Sequence, residues 1–153
     1  PPSQRSLRPV FHRLSSVHPS GEADLHTHLE QLAARLPRKS IVIVVSDWME
    51  DPNLWGPKLE ALTAVGHDVR CLQLYSKVEW EFGLPESVQV YSAENRDHIP
   101  LDTPAMKVAW LETVDQYRSE VEAWSGRARA IWIQSAVEEE LLPPLIRLVR
   151  GHV

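Results

Sequence analysis

Apolar positions recur along the chain with two periods, and the change from one to the other predicts the elements. Leu7, Val10, Phe11, Leu14 and Val17 follow helical spacing, with Ser6 placed to cap the helix and Pro9 still in its first turn. His18-Pro19-Ser20-Gly21 breaks that pattern. A second helical stripe, Leu25, Leu29, Leu32, Ala33 and Leu36, runs up to Pro37. Ser40 to Ser46 is then a run of β-branched residues without polar alternation, which predicts a strand covered on both faces, as in a parallel sheet. Leu59, Leu62 and Val65 predict a helix closed by Gly66, and Asp68 to Tyr75 predicts the next strand. Strand, helix and strand joined this tightly form a right-handed parallel crossover.

Val88 to Tyr91 and His98 to Leu101, separated by a polar turn at Glu94-Asn95-Arg96-Asp97, predict a small hairpin insertion over residues 88–101. After Pro104, the stripe Trp110, Val114, Tyr117, Val121 and Trp124 predicts a long helix facing a core, stopped by Gly126. Ala130 to Gln134 predicts a third short strand. Ser135 and Glu138 have capping-box spacing for a last helix, in which Pro143-Pro144 makes a kink or marks the true start. The predicted class is α/β: a three-layer, Rossmann-like parallel sheet carrying a β-hairpin insertion.

Composition narrows the partners. A chain of 153 residues fits one domain. Lys and Arg number 16 against 21 Asp and Glu, and the net charge of −5 argues against a general nucleic-acid binder. Hydrophobic residues at 43% and charged residues at 24% exclude global disorder. The single cysteine, Cys71, rules out an intrachain disulfide and a cysteine-built zinc site, and its mid-strand position predicts an inert buried thiol. The aliphatic run Ile41 to Val45 is far short of the roughly 20 residues of a membrane span. No apolar signal core follows Pro1-Pro2-Ser3, so a cytoplasmic location is expected, without membrane insertion.

Open parallel sheets bind ligands at the C-terminal ends of their strands. That edge is predicted to collect Ser46, Asp47, Glu50 and Asp51 after the first strand, Lys77, Glu79 and Glu81 after the second, and Asp24 from the preceding helix. Hard oxygen ligands of this kind suit Mg²⁺; a solvated acidic rim with Asp47 capping the next turn is the plainer alternative. His26 and His28 stand two apart, so on a helix they point to different faces and read as surface or capping groups. Glu79 and Glu81 alternate with Val78 and Trp80, which in an extended segment would place both carboxylates on one face as an acid–base pair. No Gly-x-Ser-x-Gly elbow and no glycine-rich phosphate loop occurs. Trp48, Trp55 and Trp80 fall near the edge, as a binding hot spot or as packing beneath the loops, whereas Trp110, Trp124 and Trp132 fall on core stripes.

Four landmarks in order carry a resemblance: Gly21-Glu22-Ala23-Asp24-Leu25, the strand ending Ser46-Asp47-Trp48, the strand opening His67-Asp68-Val69, and the acidic stretch Val78 to Phe82. Together they are similar to the bacterial domain of unknown function 58, a von Willebrand factor A-like family, over nearly the whole chain. The family pattern reads Gly-Gly-Thr-Asp-Leu, Ser-Asp-Phe and His-Asp-Val at the first three landmarks. The resemblance makes residues 1–153 the C-terminal portion of one such domain. It implies a metal-ion-dependent adhesion site whose third loop is Asp47 with Ser46 beside it, but whose threonine is replaced by Ala23 and whose Asp-x-Ser-x-Ser motif is missing. The site is therefore degenerate or incomplete. No cofactor is expected, with Mg²⁺ bound only where the missing motif is supplied. The strand Ile41 to Val45 is expected to lack a neighbour on one side, to be paired by the missing N-terminal half, by a second copy in a homodimer, or by the N-terminal stretch of this chain folded back. The implied function is a non-catalytic protein-interaction module, partner to MoxR-type AAA+ ATPases, with Asp24, Ser46, Trp48, Glu79 and Glu81 as binding-edge candidates. The competing function is a metal-dependent hydrolase using Asp47 and Glu79.

Overall fold

The computed structural model describes residues 4–18, 20, 24–84, 87–91 and 98–151. Helix α1 (Gln4–Ser15) and helix α2 (Leu25–Ala33) precede strand β1 (Ile41–Ser46), helix α3 (Pro52–Ala64) and strand β2 (Asp68–Tyr75). A single turn, α4 (Lys77–Trp80), leads to strands β3 (Ser87–Tyr91) and β4 (His98–Asp102), then helix α5 (Thr103–Ala128), strand β5 (Ile131–Ala136) and helix α6 (Leu142–Arg150). Strands β1, β2 and β5 form an all-parallel sheet in the order β1-β2-β5, with Val42 opposite Val69 and Cys71 opposite Trp132. The predicted hairpin is present as the antiparallel pair β3-β4. Its turn at Glu94–Asp97, like Pro1–Ser3 and Gly21–Ala23, lies outside the described residues.

The two faces of the sheet are covered unequally. On one face α2, α3 and α5 close over Leu29, Val42, Leu59, Leu62, Val69, Cys71 and Val121. Burial pushes the Cys71 thiol pKa far up, which makes it inert at neutral pH. On the other face α6 packs on β2 and β5 through Leu72, Ile133 and Leu148. Nothing among the described residues covers β1 on that face, and Ile41, Ile43 and Val45 stand 58%, 48% and 52% exposed. The expectation that this strand is covered on both faces is corrected: its β-branched run is covered on one face, through buried Val42 and half-buried Val44, because α6 reaches two strands and not the third. Among the described residues β1 also pairs with β2 alone, so it is an edge strand.

Arg70 ties α6 to the sheet. Its guanidinium donates to the carbonyls of Leu148 (3.0 Å) and Val149 (2.5 Å) at the C-terminal end of the helix, where positive charge is favoured. The same guanidinium pairs with Asp68 and holds that carboxyl below its usual pKa range.

Several boundaries differ from expectation for local reasons. Helix α1 starts at Gln4, so Ser6 lies within it. Helix α2 ends at Ala33, short of Leu36. Helix α5 runs through Gly126 to Ala128 and stops in a left-handed Arg129 (φ +49°). There the Ala130 N–H donates to Ser125 O and the Arg129 N–H to Gly126 O, the double bond of a Schellman end. Ser135 does not cap a helix but is buried in β5, while α6 starts at Leu142 with Pro143 and Pro144 in its first turn, where a missing N–H is harmless. Gly66 closes α3 as predicted, with φ +94°. No helix among the described residues is long and apolar enough to cross a membrane.

Candidate functional site

The loop leaving β1 is shaped by its own side chains. Ser46 Oγ accepts the Trp48 N–H at 3.1 Å, and Asp47 Oδ1 accepts the Met49 N–H at 3.2 Å. This tight turn holds Trp48 at φ +62°, a conformation bulky residues rarely adopt. The indole is driven fully into the core, where Nε1 donates to Leu72 O at 3.2 Å. Its ring packs on Trp55 and Trp132, with centroids 5.0 and 4.5 Å away. Asp51 then accepts the Asn53 N–H and caps α3.

Glu50 turns back to the start of α2. Its carboxylate accepts the N–H groups of Leu25 and His26, while Asp24 Oδ1 accepts the Thr27 N–H at 3.0 Å. Two carboxylates thus satisfy the orphan donors of this helix end. For Glu50, burial pulls the pKa up and those N–H bonds more than offset it; the Thr27 bond lowers Asp24 likewise. His26 Nδ1 sits 2.9 Å from Asp24 Oδ1 and 3.0 Å from Glu50 Oε2, and the three residues offer ligand atoms within 4.8 Å of one another. Among the described residues this trio is the group able to hold a metal ion, and Asp47 is not part of it. His28 points elsewhere, to the Asp24 carbonyl. His67 accepts the Ser40 N–H at 3.2 Å, the hydrogen-bonding role its place in the turn suggested.

At the C-terminal ends of β1 and β2 lies a pocket of about 430 Å³. Asp47 and Met49 border it from the β1 loop, Leu74 and Tyr75 from β2, Glu79 and Trp80 from α4, and Trp110, Thr113, Val114 and Tyr117 from α5. Trp80 is stacked on Tyr75 with centroids 4.0 Å apart, and the Arg118 guanidinium lies 4.4 Å above its ring. Trp110 Nε1 donates to Glu79 O at 2.5 Å, fixing α4 against α5.

Beneath the pocket runs a polar network. Gln73, fully buried on β2, donates through Nε2 to the Asp47 carbonyl and to the Tyr117 hydroxyl, both at 3.2 Å, and accepts from Gln134 Nε2 at 3.1 Å. The Tyr117 hydroxyl donates in turn to Trp48 O at 2.5 Å. The β1 loop is therefore fixed to β2 and α5 by satisfied buried groups, which rigidify their surroundings.

Burial pushes the Tyr117 phenol up to about 12, above the roughly 10 of an unfolded chain. Between these values the unfolded state releases a proton that the folded state keeps, so this group's stabilisation falls as pH rises from about 10 to about 12. Urea unfolding of the wild type should weaken more steeply across that window than that of Tyr117→Phe. Parallel declines in the two proteins would contradict it.

Of the candidate site residues predicted from the sequence, Asp47 and Glu79 both border the pocket. Ser46 borders a second, smaller cleft with Asp47 and Glu50. Trp48 as a binding-edge residue is corrected, because its side chain has no exposed surface. Glu79 and Glu81 do not share an extended face: the chain turns helical at α4, so residues two apart diverge, and Glu81 caps that turn outside the pocket. Asp24 caps α2 away from the pocket. Glu138 accepts from Ser76 Oγ and the Lys77 N–H, closing the connection after β2 instead of a capping box. Sequence reasoning missed Tyr117 as a pocket-lining residue and Gln73 as the buried group that holds it, and it assigned Trp110 to the core. The one available signal for Gln73 is a lone amide in the apolar second half of the strand DVRCLQLY, near the strand end where ligands bind.

A family model described as "Protein of unknown function DUF58" matches residues 2–120. No curated protein and no solved structure matches the chain.

Proposed function

The chain belongs to the family of proteins of unknown function DUF58, and on that premise we propose that it is a non-catalytic protein-interaction module of the von Willebrand A-like type, docking its partner at the C-terminal edge of the parallel sheet. The observation that carries this reading is the pocket of about 430 Å³ at that edge, walled by aromatic side chains and rimmed by Asp47 and Glu79. Aromatic anchoring sites with a polar rim are where protein interfaces concentrate their affinity. The partner implied by the resemblance is a MoxR-type AAA+ ATPase. Among the described residues Asp47 and Ser46 supply one carboxylate and one hydroxyl, short of an adhesion-type Mg²⁺ set, so the docking proposed here runs through the pocket's side chains.

The test is sedimentation of the chain with a purified MoxR-type AAA+ ATPase. Trp110→Ala should weaken the complex about tenfold or more, as loss of an interface anchor does. Asp47→Ala should weaken it less and cost only about 0.5–1 kcal/mol of stability, since the exposed side chain leaves no cavity and its Oδ1 takes one turn bond, from the Met49 N–H. Equal binding by all three proteins refutes the pocket as the docking site. A metal-dependent hydrolase remains the competing reading because Asp47 and Glu79 border the same pocket. Metal-stimulated ester or phosphoester cleavage lost in both Asp47→Asn and Glu79→Gln would favour it.

A further inference from the structure

The two charged groups bordering the pocket are both carboxylates, Asp47 and Glu79, and both side chains are exposed at its rim. Among the described residues neither stands in an ion pair. Behind them the wall is aromatic and aliphatic. Trp80 is stacked on Tyr75 and lies beneath the Arg118 guanidinium, so Trp110 and Tyr117 are the lining rings outside that stack. Arg118 on Trp80 is a local precedent for a guanidinium resting on an indole.

This arrangement selects by charge. A partner carboxylate entering the pocket would bring a third negative charge beside two others while losing water, which is costly. A purely apolar side chain would strip water from Asp47 and Glu79 and return nothing to them. A long side chain with an apolar stem and a cationic head satisfies both parts: the stem lies on the hydrocarbon wall and the head meets the carboxylates. The chain's net charge of −5 steers such a partner in the same direction. The loop that bears Asp47 is already fixed, its carbonyl held by Gln73 and Oδ1 by the Met49 N–H, so seating a cation requires little ordering.

We propose that the pocket receives a lysine or arginine side chain of the protein partner, its stem against Trp110 and Val114 and its charged head between Asp47 and Glu79. This rests on the docking function proposed above and adds the chemistry of the residue that docks.

The experiment follows the Trp110 indole N–H and Met49 amide NMR signals during titration with a doubly capped Gly-Gly-Arg-Gly-Gly peptide at low salt. The Gly-Gly-Glu-Gly-Gly counterpart is the control. The arginine peptide should shift both signals saturably, and the glutamate peptide should not. Glu79→Gln and Asp47→Asn keep side-chain shape, and each should weaken arginine-peptide binding about three- to fivefold. No saturable shift with the arginine peptide, equal responses to both peptides, or unchanged affinity in both variants overturns the proposal. If the ATPase binds through Trp110 while the arginine peptide is silent, docking stands and its cationic chemistry falls. If the peptide binds as described but the ATPase does not, the pocket's preference stands and the assigned partner falls.

Discussion

Trp48→Ala should lower the stability of the folded chain by about 3–5 kcal/mol, the usual cost of deleting a large buried aromatic. Trp48 has no exposed surface and sits against Trp55 and Trp132, which themselves stack with centroids 5.5 Å apart. Alanine would leave a cavity between two rigid rings that cannot close it, and the Leu72 carbonyl would lose the indole N–H. The backbone makes the test sharper. At φ +62° a residue with a Cβ is strained by roughly 1–2 kcal/mol, whereas glycine is not. Trp48→Gly should therefore be less destabilised than Trp48→Ala by about 1 kcal/mol, although it removes one more carbon. Urea unfolding at neutral pH measures both. A loss under about 1.5 kcal/mol for Trp48→Ala, or a glycine variant weaker than the alanine one, would show that the indole is not the keystone of this loop.

The parallel crossover from β1 through α3 to β2 was legible because its signals are local. A β-branched run, a helical stripe and a glycine at the helix end all act within a few residues. Which face of β1 is covered was not, since Ile41, Ile43 and Val45 are as apolar as Val42. Their exposure depends on where α6, a hundred residues later, lays its one apolar row. Helix ends were misjudged where two residues compete for one task. Gly126 looks like a stop, yet the chain places its left-handed residue at Arg129, where Ala130 and Ser125 complete the bond pattern.

The candidate site was half legible for a related reason. Strand polarity alone puts Asp47 at the edge, and the pocket forms there. Glu79 was found on the wrong geometry: an extended segment was assumed, and it reaches the pocket's rim because α4 turns the chain beside Trp80. Tyr117 and Trp110 follow the same helical stripe as Val121, and spacing cannot tell which members meet a core and which meet a cavity. That division is made by α5 overhanging the sheet end, so that Val121 is buried while Trp110 remains 38% exposed.

Gly56→Ala should cost about 2 kcal/mol, the opposite of its ordinary effect in a helix interior, where alanine gains up to about 1 kcal/mol over glycine. The reason is the crossing of α3 and α5. A Cβ at position 56 would fall 2.2 to 2.6 Å from Cδ2, Cγ and Cε3 of Trp124, inside any van der Waals limit. The indole has little room to yield, since Nε1 donates to Asn53 Oδ1 at 3.4 Å and the Arg127 guanidinium lies 3.5 Å over the ring. Glycine here serves close approach between helices, not backbone freedom. Removing the obstacle should restore the normal preference: in a Trp124→Ala background, Gly56→Ala should stabilise by about 0.5–1 kcal/mol. The double-mutant cycle thus predicts a coupling of about 2.5–3 kcal/mol between positions 56 and 124. Chemical denaturation of the four proteins measures it. If Gly56→Ala has the same sign in both backgrounds, α3 and α5 do not meet through this residue.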